Sequence, residues 1–206
     1  MSAIKNIIFD LGGVLLNIDY NKTAAAFTAL GVKNFDDLYS QAAANDLFEA
    51  LETGKITEEK FYAAMQQHCV LQTTAAQIQT AWNAMLLNFR ENSLRFLSPL
   101  KERYYLFLLS NTNSIHLSEF NKIFTKEINQ PAFDDYFIKS YYSHLINRRK
   151  PYPATYKYVL GDAGIMAEET LFIDDSEKNI EGAKEIGVHT HLLMPDERIE
   201  NLGLIF

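Results

Sequence analysis

Close to the start of the chain an apolar run, Ile7-Ile8-Phe9, ends in one carboxylate, Asp10, and passes through Leu11 into Gly12-Gly13 and a second apolar run, Val14-Leu15-Leu16. A short continuous apolar run bounded by turn residues is the pattern of a strand covered on both faces. Such a strand belongs to a layered α/β sheet, with helices on either side. A carboxylate at its end lies at the carboxyl edge of the sheet, where open α/β folds collect their ligands. The two glycines permit a tight turn and let backbone N–H groups approach a bound group. By itself the stretch equally fits an aspartate that caps a turn, so the rest of the chain decides its meaning.

In the second half the same event recurs. Tyr104 to Leu109 (YYLFLL) predicts a buried strand that runs into Ser110-Asn111-Thr112-Asn113. Thr170 to Ile173 (TLFI) predicts another, ending in Asp174-Asp175, and His189 to Leu193 gives the last. Phe133 to Ile138 leads into one more short strand. Helices are expected over Ser93–Leu100, stopped by Pro99, and over Ile115–Phe124, Tyr152–Leu160 and Asn179–Ile186, the last ended by Gly187.

Between these halves the pattern is helical throughout. Asn21–Leu30 is closed by Gly31, and Asp36–Glu52 carries Leu38, Ala42, Leu47 and Leu51 near helical spacing before Gly54. Thr57 caps Glu58–His68 with half a capping box, because Lys60 stands where an acid would complete it. Thr74–Phe89 places Ile78, Trp82, Met85 and Leu86 on one side of a fourth helix. The expected architecture is a Rossmann-like parallel α/β core formed by residues 1–17 and 91–206, with a four-helix bundle inserted at 18–90.

Composition narrows the function. The chain has 206 residues, 48% of them apolar, which suits one core and a modest insert. Nineteen basic against 26 acidic residues give a formal charge of −7, and the one short basic run is Arg148-Arg149-Lys150. A nucleic-acid backbone is excluded as main partner, and an anion must be bound by a few placed groups. The single Cys69 allows no internal disulfide and reads as a buried thiol at a helix end. His68, His116, His144, His189 and His191 lack zinc-site spacing and read as caps, core edges or surface groups. Without a signal-like start or an apolar stretch of about 18 residues, a cytoplasmic protein with no membrane contact is expected.

Taken in order, DLGGVLL, LLSNTN, RRKPYP and FIDDSEKNIEGAKEIG resemble the four motifs of the haloacid dehalogenase-like (HAD) phosphohydrolase superfamily, and the insert resembles its helical cap. Within it the chain is similar to small bacterial sugar-phosphate phosphatases of the α-glucose-1-phosphate phosphatase type. The resemblance implies Asp10 as nucleophile, forming an aspartyl-phosphate that water cleaves. It implies Ser110, Asn111 and Lys150 as phosphate-binding groups, and Mg2+ held by Asp10, the Gly12 carbonyl and Asp175. Asp174 and Asn179 stand behind that set, Asp174 orienting a metal-bound water or Lys150. Arg148 and Arg149 read as solvated surface residues.

One position departs from the family pattern. Phosphatase members carry a second aspartate, two residues after the nucleophile, as acid and base, and here that position is Gly12. Asp19 is the nearest replacement by sequence, with an N-cap of the first cap helix as its plain structural reading. For the cap's contact with the organic half of the substrate, the candidates are Tyr20, Asn45, Glu49, Glu52 and Trp82, Trp82 reading as core. The implied substrate is a small phosphorylated metabolite, a sugar phosphate. The alternatives are a non-catalytic or regulatory HAD-fold protein, for which Gly12 speaks, and a 2-haloacid dehalogenase, which needs no late acid pair.

Overall fold

A computed structural model describes residues 3–35, 46–128, 130 and 132–204. Strand β1 (Asn6–Phe9) turns into β2 (Leu16–Ile18), which is followed by helices α1 (Tyr20–Ala29), α2 (Asp46–Glu52), α3 (Glu58–Gln66) and α4 (Ala75–Asn83) and by the returning strand β3 (Leu86–Phe89). Then come α5 (Glu91–Leu100), β4 (Tyr105–Ser110), α6 (Ser114–Ile128), β5 (Lys139–Tyr142), α7 (Ser143–Ile146), α8 (Pro153–Ala163), β6 (Thr170–Asp174), α9 (Glu177–Lys184) and β7 (His189–Leu192).

Five strands form one sheet in the order β5-β4-β1-β6-β7, every neighbouring pair parallel. The chain builds outward from β1 through β4 to β5, then returns to the other side for β6 and β7. That reversal opens a crevice at the carboxyl ends of β4, β1 and β6. All four residues of β1 are buried, as its continuous apolar run requires. Ile7 and Phe9 pack on one face with Leu94, Phe120 and Phe124, while Ile8 packs on the other with Phe107, Tyr156 and Phe172. The period of two along a strand thus feeds two separate cores.

The cap has a core of its own, built from Phe27, Phe48, Phe61, Met65, Ile78 and Trp82. The Trp82 ring lies 5.3 Å from those of both Phe48 and Phe61. Ile115, from the first turn of α6, is buried in this same cluster, so the cap is docked on the helix that follows β4. Thr57 caps α3 through the Lys60 N–H, and Thr74 with Gln77 makes a complete capping box on α4.

Several boundaries differ from expectation. The fourth cap helix stops at Asn83, and Leu86–Phe89 pairs antiparallel with Leu16–Ile18. The ribbon joins the two passages between core and cap, extended by the Asp19 N–H to Met85 O (3.0 Å) and the Arg90 N–H to Leu15 O (2.8 Å). Local periodicity cannot show such a strand, because its partner is remote in sequence. Pro99 lies inside the last turn of α5 instead of ending it, α6 runs on to Ile128, and β5 starts only at Lys139 after a 3-10 turn. Cys69 is half-buried, not buried, with its Sγ–H donated to Met65 O at 3.3 Å. The expected helical positions Asp36–Asn45, Leu38, Ala42 and Asn45 among them, lie outside the described residues. No described helix is long and apolar enough to cross a membrane.

Truncating the centre of the cap core, Phe61→Ala, is expected to cost about 3–5 kcal/mol, read as a lowered urea midpoint. Tyr105→Ala, at a side chain 60% exposed, should change stability by no more than about 0.5 kcal/mol. Equal midpoints for the two variants would contradict the aromatic cluster as the cap's support.

Candidate active site

Parallel registration places the polar strand ends side by side. Phe9 of β1 lies opposite Leu108 of β4 and Ile173 of β6, so Asp10, Ser110 and Asp174 reach the same edge. Lys150 arrives from the segment between α7 and α8 and is fixed by its main chain. The Asn111 side chain accepts from the Lys150 N–H at 2.9 Å and donates to the Lys150 carbonyl at 2.9 Å. The Asn111 amide thus holds the lysine's main chain, which leaves the Asn111 backbone N–H as the group offered to the phosphate. The neighbouring Thr112 is held by Ser143, whose hydroxyl accepts from the Thr112 N–H and donates to its carbonyl.

The Lys150 side chain is fully buried. Its Nζ lies 2.7 Å from Asp10 Oδ1 and 2.7 Å from Asp174 Oδ2. Asp174, also fully buried, accepts in addition from the Ser176 N–H (2.8 Å) and from Asn179 Nδ2, at 3.0 Å to each carboxylate oxygen. Asp174 is thus a positioning group for Lys150, and Asn179 in turn fixes Asp174. Asp10 Oδ1 takes the Leu11 N–H at 2.7 Å as well as Lys150, and Asp10 and Asp175 both line the crevice.

Oxygens of Asp10, Asp174 and Asp175 lie within 4.8 Å of one another. Three carboxylates here face one ammonium group. Burial raises the Asp10 carboxyl above the ordinary range, Lys150 opposing this and Asp174 and Asp175 adding to it. Asp175 is raised by burial and then by Asp174. A hard divalent cation on Asp10 and Asp175 would reverse both effects, and the all-oxygen donor set suits Mg2+.

The two glycines after Asp10 have different roles. Gly13 adopts φ +71°, and a Cβ there would lie 1.9 Å from Asp175 Oδ2, so it alone needs to be glycine for both backbone and space. At Gly12 a Cβ would meet the end of the Ile18 side chain at 2.7 Å. Nothing in the Gly12 backbone forbids a side chain; the position is filled by Ile18.

Above this edge lies a cavity of about 480 Å³, within the range of small-molecule sites. Asp10, Ser110, Lys150 and Asp175 line its floor, and Tyr20, Glu52, Trp82 and Met85 line it from the cap side. Trp82 therefore serves both as cap core and as cavity wall. Asp19 is not among the lining residues; its Oδ1 accepts from the Asn21 N–H at 3.0 Å and caps α1. Tyr20 is 45% exposed, and partial loss of hydration around its phenol, then Asp175, Asp10 and Glu52, push it above its usual value, so it stays protonated among these acids.

Arg149, read from sequence as solvated, is instead half-buried on the cavity wall. Its guanidinium spans from the core to the cap, 3.4 Å from Glu49 Oε2 and 3.3 Å from Glu52 Oε2. The signal was present as two acids three positions apart on one helix face, an arrangement that calls for a cation. Arg148 does lie at the surface, over the Tyr158 ring at 5.1 Å. His116, buried on the cavity wall against Trp82, is pushed down to about 3 by burial and His144 and is a neutral ring.

The chain is similar to known proteins in sequence and fold. The family model of the haloacid dehalogenase-like hydrolases covers residues 7–193. A D-ribitol-5-phosphate phosphatase of Bacteroides thetaiotaomicron is 32% identical over 188 residues, 91% of this chain and 90% of that protein. A HAD family enzyme of the same organism, crystallised as wild type with magnesium and inorganic phosphate, is 35% identical with a TM-score of 0.85, over 98% of this chain and 100% of that one. The structure of a HAD-like family hydrolase from Porphyromonas gingivalis shows 30% identity and a TM-score of 0.85, over 95% and 94% of the two chains. With the family model spanning the strand ends that carry the buried lysine and its aspartates, the chain belongs to the haloacid dehalogenase-like hydrolases.

Proposed function

We propose that this protein is a Mg2+-dependent phosphomonoesterase that hydrolyses a small sugar or polyol phosphate through an aspartyl-phosphate intermediate. The observation that carries the reading is the buried Lys150 ammonium shared between Asp10 and Asp174 at 2.7 Å each, on the floor of a cavity sized for a small metabolite. The magnesium and phosphate in the related crystal structure, and the polyol phosphate named for the related phosphatase, support the metal and the substrate class.

In this reading the phosphoryl group sits over Asp10, with Ser110 donating its hydroxyl to one phosphoryl oxygen and Lys150 offering charge to another. Asp10 attacks phosphorus through the oxygen turned away from Lys150, and Ser110 and Lys150 hold the phosphoryl oxygens while the ester bond breaks in line. Asp10, the Gly12 carbonyl and Asp175 would hold Mg2+, which when bound neutralises the charge of nucleophile and phosphoryl group. Asp174 and Asn179 keep Lys150 and Asp175 in register. The cap encloses the organic half and limits its size.

Removing the metal with EDTA is expected to abolish hydrolysis of pentitol and hexose phosphates, with recovery on added Mg2+. Binding should be visible without turnover, since relief of carboxylate repulsion should raise the melting temperature as Mg2+ is titrated. Undiminished hydrolysis by rigorously metal-free protein would overturn the metal assignment.

Lys150→Ala leaves Asp10 and Asp174 buried and facing each other without their shared cation. It should cost about 3–5 kcal/mol in stability and nearly all turnover, whereas Arg148→Ala should change both little. Equal losses would point to diffuse positive charge instead of a placed ammonium group.

A further inference from the structure

With Gly12 in place of the second aspartate, the departing alkoxide has no proton donor beside the nucleophile, and the water of the second half-reaction has no base. Besides Asp10 and Asp175, two carboxylates line the described cavity, Glu52 and Glu177. Glu177 is exposed at the rim, in the first turn of α9. Glu52 is the last residue of α2, its side chain 14% exposed, and it lines the same cavity as Asp10 from the cap. We infer that Glu52 is the acid–base residue of the phosphoryl transfer, supplied from the cap in place of the side chain that Gly12 lacks; the assignment rests on the phosphatase reading.

Three features of its surroundings fit the role. First, its ion pair is incomplete. Glu49 and Glu52 share one guanidinium at 3.4 and 3.3 Å, longer than the roughly 2.7–2.9 Å of a strong charge-assisted bond. One cation cannot neutralise two carboxylates, and Glu52 is the more buried of the two, its side chain 14% exposed against 29% for Glu49. Second, its carboxyl is held above the usual range, by burial first, with Arg149 opposing and Glu49 adding. Third, Glu52 shares one chamber with the reacting groups. Asp10, Ser110, Lys150 and Asp175 line that same cavity. The neighbouring helices α3 and α7 bring the titratable groups Glu58, Glu59, Lys60 and His144; Glu58 accepts from the Ser114 hydroxyl, and the His144 ring is pushed down by burial.

The two half-reactions balance. In the first, an Asp10 carboxylate oxygen bonds to phosphorus as the phosphorus–ester oxygen bond breaks, and the departing oxygen takes the proton of the Glu52 carboxylic acid, leaving as an alcohol. In the second, Glu52 carboxylate takes a proton from water, whose oxygen bonds to phosphorus as the bond to Asp10 breaks. Inorganic phosphate leaves, and both side chains return to their starting states. In-line displacement requires the acid on the leaving-group side of phosphorus; Asp10 lines the cavity from the sheet edge and Glu52 from a cap helix.

The test compares the Mg2+-loaded wild type with Glu52→Gln and Glu52→Asp on a pentitol phosphate, whose alkoxide needs a proton, and on para-nitrophenyl phosphate, whose phenolate needs it far less. Glu52→Gln should lower the alkyl-to-aryl ratio of kcat/KM by about 100-fold, and Glu52→Asp should recover part of it. The wild-type alkyl rate should fall as pH rises and Glu52 loses its proton, and that limb should be missing in Glu52→Gln. Across a leaving-group series the wild type should show a shallow dependence, a readout that needs no variant. An unchanged alkyl-to-aryl ratio in Glu52→Gln, or a steep wild-type dependence, overturns the assignment while leaving the phosphatase reading standing. A wild type inactive on every ester with Mg2+ overturns that reading and the assignment with it.

Discussion

The architecture of the site depends on one buried ammonium group. Lys150 is removed from water, a state a lysine tolerates only with its charge matched, and the matching is done by Asp10 and Asp174 from two adjacent strands. Each partner is secured in turn: Asp174 by Asn179 and the Ser176 N–H, Lys150 through its backbone by Asn111. Four separate segments are therefore tied at the carboxyl edge of the sheet. The remaining negative charge, on Asp10 and Asp175, would favour a divalent cation at this edge.

Above that edge the chain solves a second problem, how to put a lid on a site whose floor is a rigid sheet. The cap has its own aromatic core, yet Ile115 of α6 is buried in it, and the β2–β3 ribbon carries both connections. Arg149, adjacent in sequence to the buried lysine, spans to Glu49 and Glu52 on α2. The residue that positions the floor is thus one peptide bond from the residue that meets the lid.

Glycine use illustrates how two adjacent identical residues carry different constraints. Gly13 needs φ +71° and the space that Asp175 occupies, so the turn requires it there. Gly12 has no such backbone demand, and Ile18 fills the volume its side chain would take. The family's usual acid at this position is therefore replaced by an apolar contact, not excluded by the turn. That distinction motivates the search for an acid elsewhere on the cavity wall.

Much of the fold was legible because its signals are local. Continuous apolar runs ending in Asp10, Ser110-Asn111 and Asp174-Asp175 state both that the strands are covered on two faces and that their carboxyl ends are polar, and parallel pairing makes those ends neighbours. The helix cap at Thr57 and the stops at Gly31 and Gly187 are likewise written within a few residues. What sequence left open depends on groups remote along the chain. Leu86–Phe89 looks like the end of a helix until Leu16–Ile18 lies beside it. Arg149 looks like its solvated neighbour Arg148 until two cap glutamates meet it. Asp19 is nearest to the nucleophile in sequence but turns to cap α1, whereas Glu52 is far along the chain and lines the cavity. Sequence by itself determined the covered strands and the residue types at their ends, since hydrophobic period and turn chemistry are short-range. Only the tertiary structure decided which charges share a cavity, because Coulomb interaction and desolvation follow distance in space, not separation in sequence.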